Sequence, residues 1–189
     1  YEINIGDWSS DVCSSDLGKY MEVRQVRVSD ADNLLALMNR LDNETTFMLY
    51  EPGERTTTEI EQAQILASFV DANNRVMLVL SEHDEIAGFI VGIGQPANRN
   101  KHVLYCVIGI QLSATGQGFG KKMMSALEAW ARAHGFTRME LSVMCHNARA
   151  CALYRACGFE VEGVKRNTMR VDGAYVDEYM MAKLIEEGA

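Results

Sequence analysis

From Glu22 the chain alternates apolar and polar positions in VRQVRV, the period-two pattern of a half-buried strand. Ser29, Asp30 and Asp32 then offer caps for a helix with Leu34, Leu37, Met38 and Leu41 on one stripe. A polar loop, Asp42 to Thr56, carries the run Phe47-Met48-Leu49-Tyr50-Glu51-Pro52-Gly53. Thr56 to Thr58, with Glu59 and Glu61, has the form of a capping box before a second helix that runs to about Ala72. Two strands, Arg75 to Ser81 and Glu85 to Ile93, meet at a His83-Asp84 turn and read as a hairpin. The run HVLYCVIGI, 102–110, is apolar almost throughout, as a strand buried on both faces must be. After a glycine-rich stretch, Phe119, Met123, Leu127 and Trp130 form the stripe of a helix closed by Gly135. A strand from Arg138 to Met144, a short helix from about Asn147 to Cys157 and two last strands joined at Asp172-Gly173 complete the chain.

Strand, two helices, three strands, helix, strand, helix and two strands make a mixed α/β single domain. Its sheet is expected to be antiparallel on one side, with a parallel crossover around the glycine-rich stretch.

Composition narrows the function. At 189 residues, 48% hydrophobic and 23% charged, the chain suits one domain with a sizeable core. No apolar run approaches the roughly 18 residues of a membrane span. The 26 acidic against 18 basic residues, a formal charge of -8, argue against nucleic acid and anionic lipid as partners. The five cysteines form no CxxC pair, which points to reduced thiols in a cytoplasmic setting. Cys145, His146 and Cys151 match no zinc spacing, and no metal is expected.

The segment 1–17, YEINIGDWSSDVCSSDL, has neither helical nor strand periodicity, and its stretch from Asp7 to Leu17 resembles the translation of a sequencing-library adapter. It lacks the basic and apolar regions of a secretory signal. Residues 1–20 are therefore expected to be a non-native or disordered leader, with Met21 as the start of a single domain to 189. A chain beginning at Met21 should keep full stability and activity. Without residues 1–17, four of the 26 acids go and no base does, so the charge becomes -4.

Thr115-Gly116-Gln117-Gly118-Phe119-Gly120-Lys121 lies between a buried strand and a helix N-terminus, where free N–H groups and the helix dipole favour a phosphate. It is not a Walker A loop, because Thr115 stands where the first glycine belongs and Lys122 where Ser or Thr belongs. Nor is it a dinucleotide fingerprint, because the last two glycines are one residue apart.

The stretch resembles the acetyl-CoA loop of the GNAT superfamily of N-acetyltransferases: Arg or Gln, two residues, Gly, one residue, Gly or Ala. Thr115 departs from the basic or amide residue of that pattern. The run LSVMCHNARACALYRACGFEVEGVKR resembles the second signature of the family through Asn147, Ala150, Leu153, Tyr154, Gly158 and Phe159. The likeness extends from about Glu22 to Leu184.

This resemblance implies a mostly antiparallel twisted sheet of about seven strands flanked by about four helices, with a splayed central strand pair that receives the pantetheine arm. It implies acetyl-CoA as cosubstrate and a primary amine as acceptor, on a small molecule, an amino-acid-like compound or a protein N-terminus. Ile110, Gln111 and Leu112 would bond the arm, with the N–H near Ile110 facing the oxyanion. Thr115, Gly116, Gln117, Gly118, Gly120 and Lys121 would cradle the pyrophosphate, and Asn147 would bond the arm, although Asn147 also fits the N-cap of its own helix. Tyr154 matches the general acid that protonates the leaving thiolate; the alternative is an aromatic packed on the helix. Glu51, His102 and Tyr105 are the candidates for the base. A homodimer is a habit of the family. The competing reading is a non-catalytic acyl-CoA-binding sensor, which needs the cradle but no acid.

Overall fold

The computed structural model describes residues 20–185, so the expectations for the leader fall outside the described residues. The strands are β1 (Glu22–Gln25), β2 (Arg75–Glu82), β3 (Glu85–Gly94), β4 (Val103–Ile110), β5 (Arg138–Met144), β6 (Glu160–Val171) and β7 (Ala174–Leu184). The helices are α1 (Ala31–Glu44), α2 (Glu59–Ala67), α3 (Phe119–Ala133) and α4 (Ala148–Ala156), with 3-10 turns at Val28–Asp30 and Leu112–Ala114. Seven strands form one sheet in the order β1-β2-β3-β4-β5-β7-β6.

Every neighbouring pair is antiparallel except β4 and β5. Those two pair only from Val103↔Arg138 to Tyr105↔Glu140, after which β4 runs on to Ile110 and β5 to Met144 with no ladder between them. The expected splay is this opening. At the far end, Asp172 and Gly173 both have positive φ, as the expected type I′ hairpin requires.

Alternate residues of β2 serve opposite sides of the sheet, which is why the strand reads as a continuous apolar run. Val76, Leu78 and Leu80 join the core under α3, with Leu104, Met123, Leu127 and Met139. Met77 and Val79 join Leu34, Leu37, Leu41 and Leu66 of α1 and α2. Gly92 permits the close approach of α3, since a Cβ there would lie 2.8 Å from Leu104 and 2.9 Å from Leu127.

Three boundaries differ from the sequence pattern. The helix α1 continues to Glu44, past Asp42 where the sequence places the start of the polar loop. The helix α2 stops at Ala67 rather than near Ala72, and the Ser68 hydroxyl donates to the Ile65 carbonyl at 2.6 Å. The strand β1 is short because Asp30 draws the chain into a turn. Its carboxylate accepts both Arg24 Nη atoms at 2.8 Å and the Arg27 N–H at 2.7 Å, so it makes no side-chain cap to α1.

Burial alone would raise the Asp30 carboxyl, but the bonds from Arg24 and Arg27 reverse this and hold it below the usual range. Asp30→Asn is expected to cost about 2 kcal/mol at neutral pH. A depressed folded-state pKa stabilises fully above the unfolded value of about 4 and less as pH falls through the folded one. In urea titrations the gap between wild type and D30N should therefore close with acid. A gap that is constant from pH 7 to pH 3 would contradict this role for the ion pair.

Candidate active site

The gap between β4 and β5 exposes one strand edge. The Gln111 N–H donates to the Ala87 carbonyl of β3 at 2.9 Å, so by strand alternation the backbone of Ile110 and the Leu112 N–H face the opposite edge, into the gap. The Gln111 side chain is occupied too, accepting from Arg40 at 2.6 Å. Of the three residues expected to hold a pantetheine arm, Ile110 and Leu112 are thus directed at the gap, and Gln111 has its amide turned to β3.

The glycine loop follows directly. Gly116 and Gly118 adopt φ of +78° and +85° with nothing within 4 Å of a would-be Cβ, so glycine is needed there for conformation. Gly120 is needed for space: a Cβ would stand 2.8 Å from a Leu153 methyl, where α4 crosses α3. The Lys122 N–H reaches the Gly118 carbonyl at 3.1 Å, while the amides of 116–121 have no backbone acceptor among the described residues.

Thr115 donates its hydroxyl to the Leu112 carbonyl at 2.7 Å and accepts Arg149 Nη1 at 2.6 Å. Arg149, in the first turn of α4, thus brings a cation to the position where the acetyl-CoA loop pattern has a basic or amide residue and this chain has threonine. Asn147 does cap its own helix, accepting the Ala150 N–H at 3.2 Å.

Tyr154 is buried at 7% exposure in the core beneath α4, its ring 6.1 Å from that of Phe159. Burial pushes its phenol well up, aided by the nearby Cys106, Cys151 and Tyr105, and its hydroxyl has no hydrogen-bond partner among the described residues. The Cys106 thiol is pushed up to about 12, chiefly by burial, and burial also raises Cys145, Cys151 and Cys157.

Two adjoining cavities complete the site. One, of about 440 Å³, is lined by Ile110, Leu112, Thr115, His146, Asn147 and Arg149. The other, of about 630 Å³, lies between the last turn of α1 with the loop that follows it to Pro52, Met144 at the end of β5 and the hairpin residues 169–172. Glu44, Thr45 and Phe47 line both. The Phe47 ring sits 5.0 Å from the His146 ring. The loop is anchored by Asp42, 2% exposed, which accepts Arg55 at 2.7 and 3.1 Å while Arg55 lies over the Tyr50 ring at 4.8 Å.

The base candidates fall differently. Glu51 lines the larger cavity. Tyr105 stands at the last paired position before the splay and lines neither cavity. His102 lies before the first residue of β4, at the opposite end from Ile110, and its carbonyl serves the Thr137 and Arg138 N–H groups. That placement removes His102 from the site.

His146 and Arg149 line the candidate site without the sequence having assigned them to it, and Glu44 joins them from an acidic stretch, with Asp42, Glu51 and Glu54, able to attract a cationic amine. For Glu44 a second signal existed: an acid in the last turn of a helix opposes the helix dipole. Among the described residues no group of three or more His, Cys, Asp or Glu could hold a metal, and no helix is long and apolar enough to cross a membrane.

A strand pair that opens onto a glycine loop at a helix N-terminus is the arrangement the GNAT resemblance implies, and comparison with known proteins agrees. The sequence model of the acetyltransferase (GNAT) family matches residues 36–159. The chain belongs to that family. It is 32% identical over 133 residues to mycothiol acetyltransferase of Jonesia denitrificans, a match covering 70% of this chain and 40% of that protein. An acetyltransferase of the GNAT family from Streptococcus pneumoniae superposes with a TM-score of 0.83 at 28% identity, covering 87% of this chain and 99% of the other. The fold is shared with a putative acetyltransferase from Salmonella typhimurium solved with acetyl-CoA, at a TM-score of 0.79 and 19% identity, over 90% of this chain and 96% of that one.

Proposed function

We propose that this chain transfers an acetyl group from acetyl-CoA to a primary amine, on a small molecule, an amino-acid-like compound or a protein N-terminus. The observation that carries the reading is the open β4 edge, with Ile110 and Leu112 facing a gap that runs from the glycine loop to a second cavity. The free amides of 116–121 and the Lys121 ammonium would take the pyrophosphate. The pantetheine arm would add as a strand to β4. The Ile110 N–H would face the oxyanion that forms as the amine attacks the thioester carbon. The larger cavity would hold the acceptor, with Glu51 on its wall to take the ammonium proton; collapse of the intermediate would break the C–S bond, and Tyr154 would give its proton to the departing CoA thiolate.

Direct attack is favoured over an acyl-enzyme, because the four described cysteines all have raised thiol pKa values and hold no ready thiolate. The test is thiol release from acetyl-CoA across a panel of amines. Turnover on at least one amine is expected, whereas binding of CoA with no turnover on any would mark a sensor.

Arg149 supplies a smaller prediction. Arg149→Ala removes the guanidinium bonded to Thr115, beside the expected pyrophosphate, and should weaken acetyl-CoA five- to tenfold, of order 1 kcal/mol. Calorimetry would read this directly, and an unchanged dissociation constant would remove Arg149 from the cradle.

A further inference from the structure

Glu44 ends α1 with its carboxylate turned away from the helix, accepting the Leu112 N–H at 2.8 Å across 68 residues of sequence. That N–H points into the gap and is the next outward donor after Ile110 on the edge that β5 leaves open. One turn earlier on α1, Arg40 holds the Gln111 side chain. Two residues four apart on one helix face thus grip consecutive residues at the end of β4. Glu44 also lines both cavities and is exposed, so water can solvate its carboxylate if it is displaced.

An open strand edge binds an extended chain through alternating amide donors and acceptors. Glu44 supplies one carboxylate oxygen where such a ligand would supply an amide carbonyl. We infer that Glu44 is a displaceable occupant of the β4 edge, which an amide carbonyl of the acyl-CoA pantetheine arm replaces on the Leu112 N–H. Displacement frees the carboxylate at the wall shared with the acceptor cavity, so that a negative charge faces the incoming ammonium only when the acyl donor is seated. This rests on the acetyl-CoA reading above.

Calorimetry with acetyl-CoA on wild type, Glu44→Ala and Glu44→Gln tests it. E44A empties the Leu112 N–H and should bind acetyl-CoA at least threefold tighter than wild type. E44Q removes the charge but keeps an acceptor oxygen, and should gain less than E44A. Amide hydrogen exchange gives an independent readout: the Leu112 N–H should exchange at least tenfold faster in E44A and become protected again when acetyl-CoA is added. Affinity in E44A that is unchanged or weaker would overturn the inference. Equal tightening in both variants would assign the effect to charge alone and overturn it as well. Binding to none of the three proteins would overturn the acetyl-CoA reading along with it, whereas binding to wild type without tightening in E44A overturns the inference alone.

Discussion

Tyr154→Phe is expected to lower kcat at least tenfold, and about a hundredfold if the hydroxyl supplies full general-acid assistance. The acetyl-CoA dissociation constant should stay within about twofold, because the substitution deletes one oxygen and keeps the ring against Phe159. Stability should hardly change, since no described residue depends on that hydroxyl for a hydrogen bond. Burial raises the phenol pKa, which keeps the proton on oxygen but makes it a weaker acid, so the expected effect rests on the match of Tyr154 to the family's acid and on its unpartnered hydroxyl rather than on the shift. The measurement is kcat on whichever amine the panel selects, with the acetyl-CoA dissociation constant and the melting temperature as companions. Full turnover in Y154F would remove the tyrosine from the chemistry and leave it a packing residue.

The second large effect is structural and reaches the acceptor. Asp42→Asn leaves the Arg55 guanidinium beside an uncharged partner in a site where the aspartate is 2% exposed. Breaking such a pair from one side costs about 4 kcal/mol. Arg55 holds the loop through Asp42 and through its position over Tyr50, and that loop forms one wall of the larger cavity. Urea unfolding should report the stability loss. Where the folded variant can be assayed, the acceptor KM should rise at least tenfold while the acetyl-CoA KM moves little, because the glycine loop draws on other elements. A stability loss below about 1 kcal/mol would show that the loop stands without this anchor.

Much of the fold was legible because it is written in short-range periodicity. Thr58 and Glu61 form the capping box the sequence suggests, β5 spans Arg138–Met144 as read, and Asp172-Gly173 makes the hairpin turn. The misjudged ends are those where a contact distant in sequence or a single side chain overrides the local pattern. Asp30 reads as a helix cap by its spacing, yet Arg24 claims its carboxylate. The candidate site was legible at the glycine loop, where Gly116 and Gly118 take positive φ and Gly120 lets Leu153 approach closely. It was poorly legible where side chains from separate elements converge. The glycine loop after Ile110 marks the end of β4 that opens, which already set His102 at the far end, whereas nothing near Arg149 says that it reaches Thr115, 34 residues away.

By itself the sequence determined the order of elements and the need for glycine in the loop before α3, because each depends on a residue and its near neighbours; β4, read as buried on both faces, instead leaves Val107 exposed and Tyr105, Ile108 and Ile110 half-buried. Only the tertiary structure decided that β4 and β5 part after Tyr105, that Gln111 turns its amide to β3 while Leu112 offers its own to Glu44, and that two cavities share one wall. Those facts depend on register and on which strand edge finds no partner, and register is settled by contacts between segments that no local pattern records.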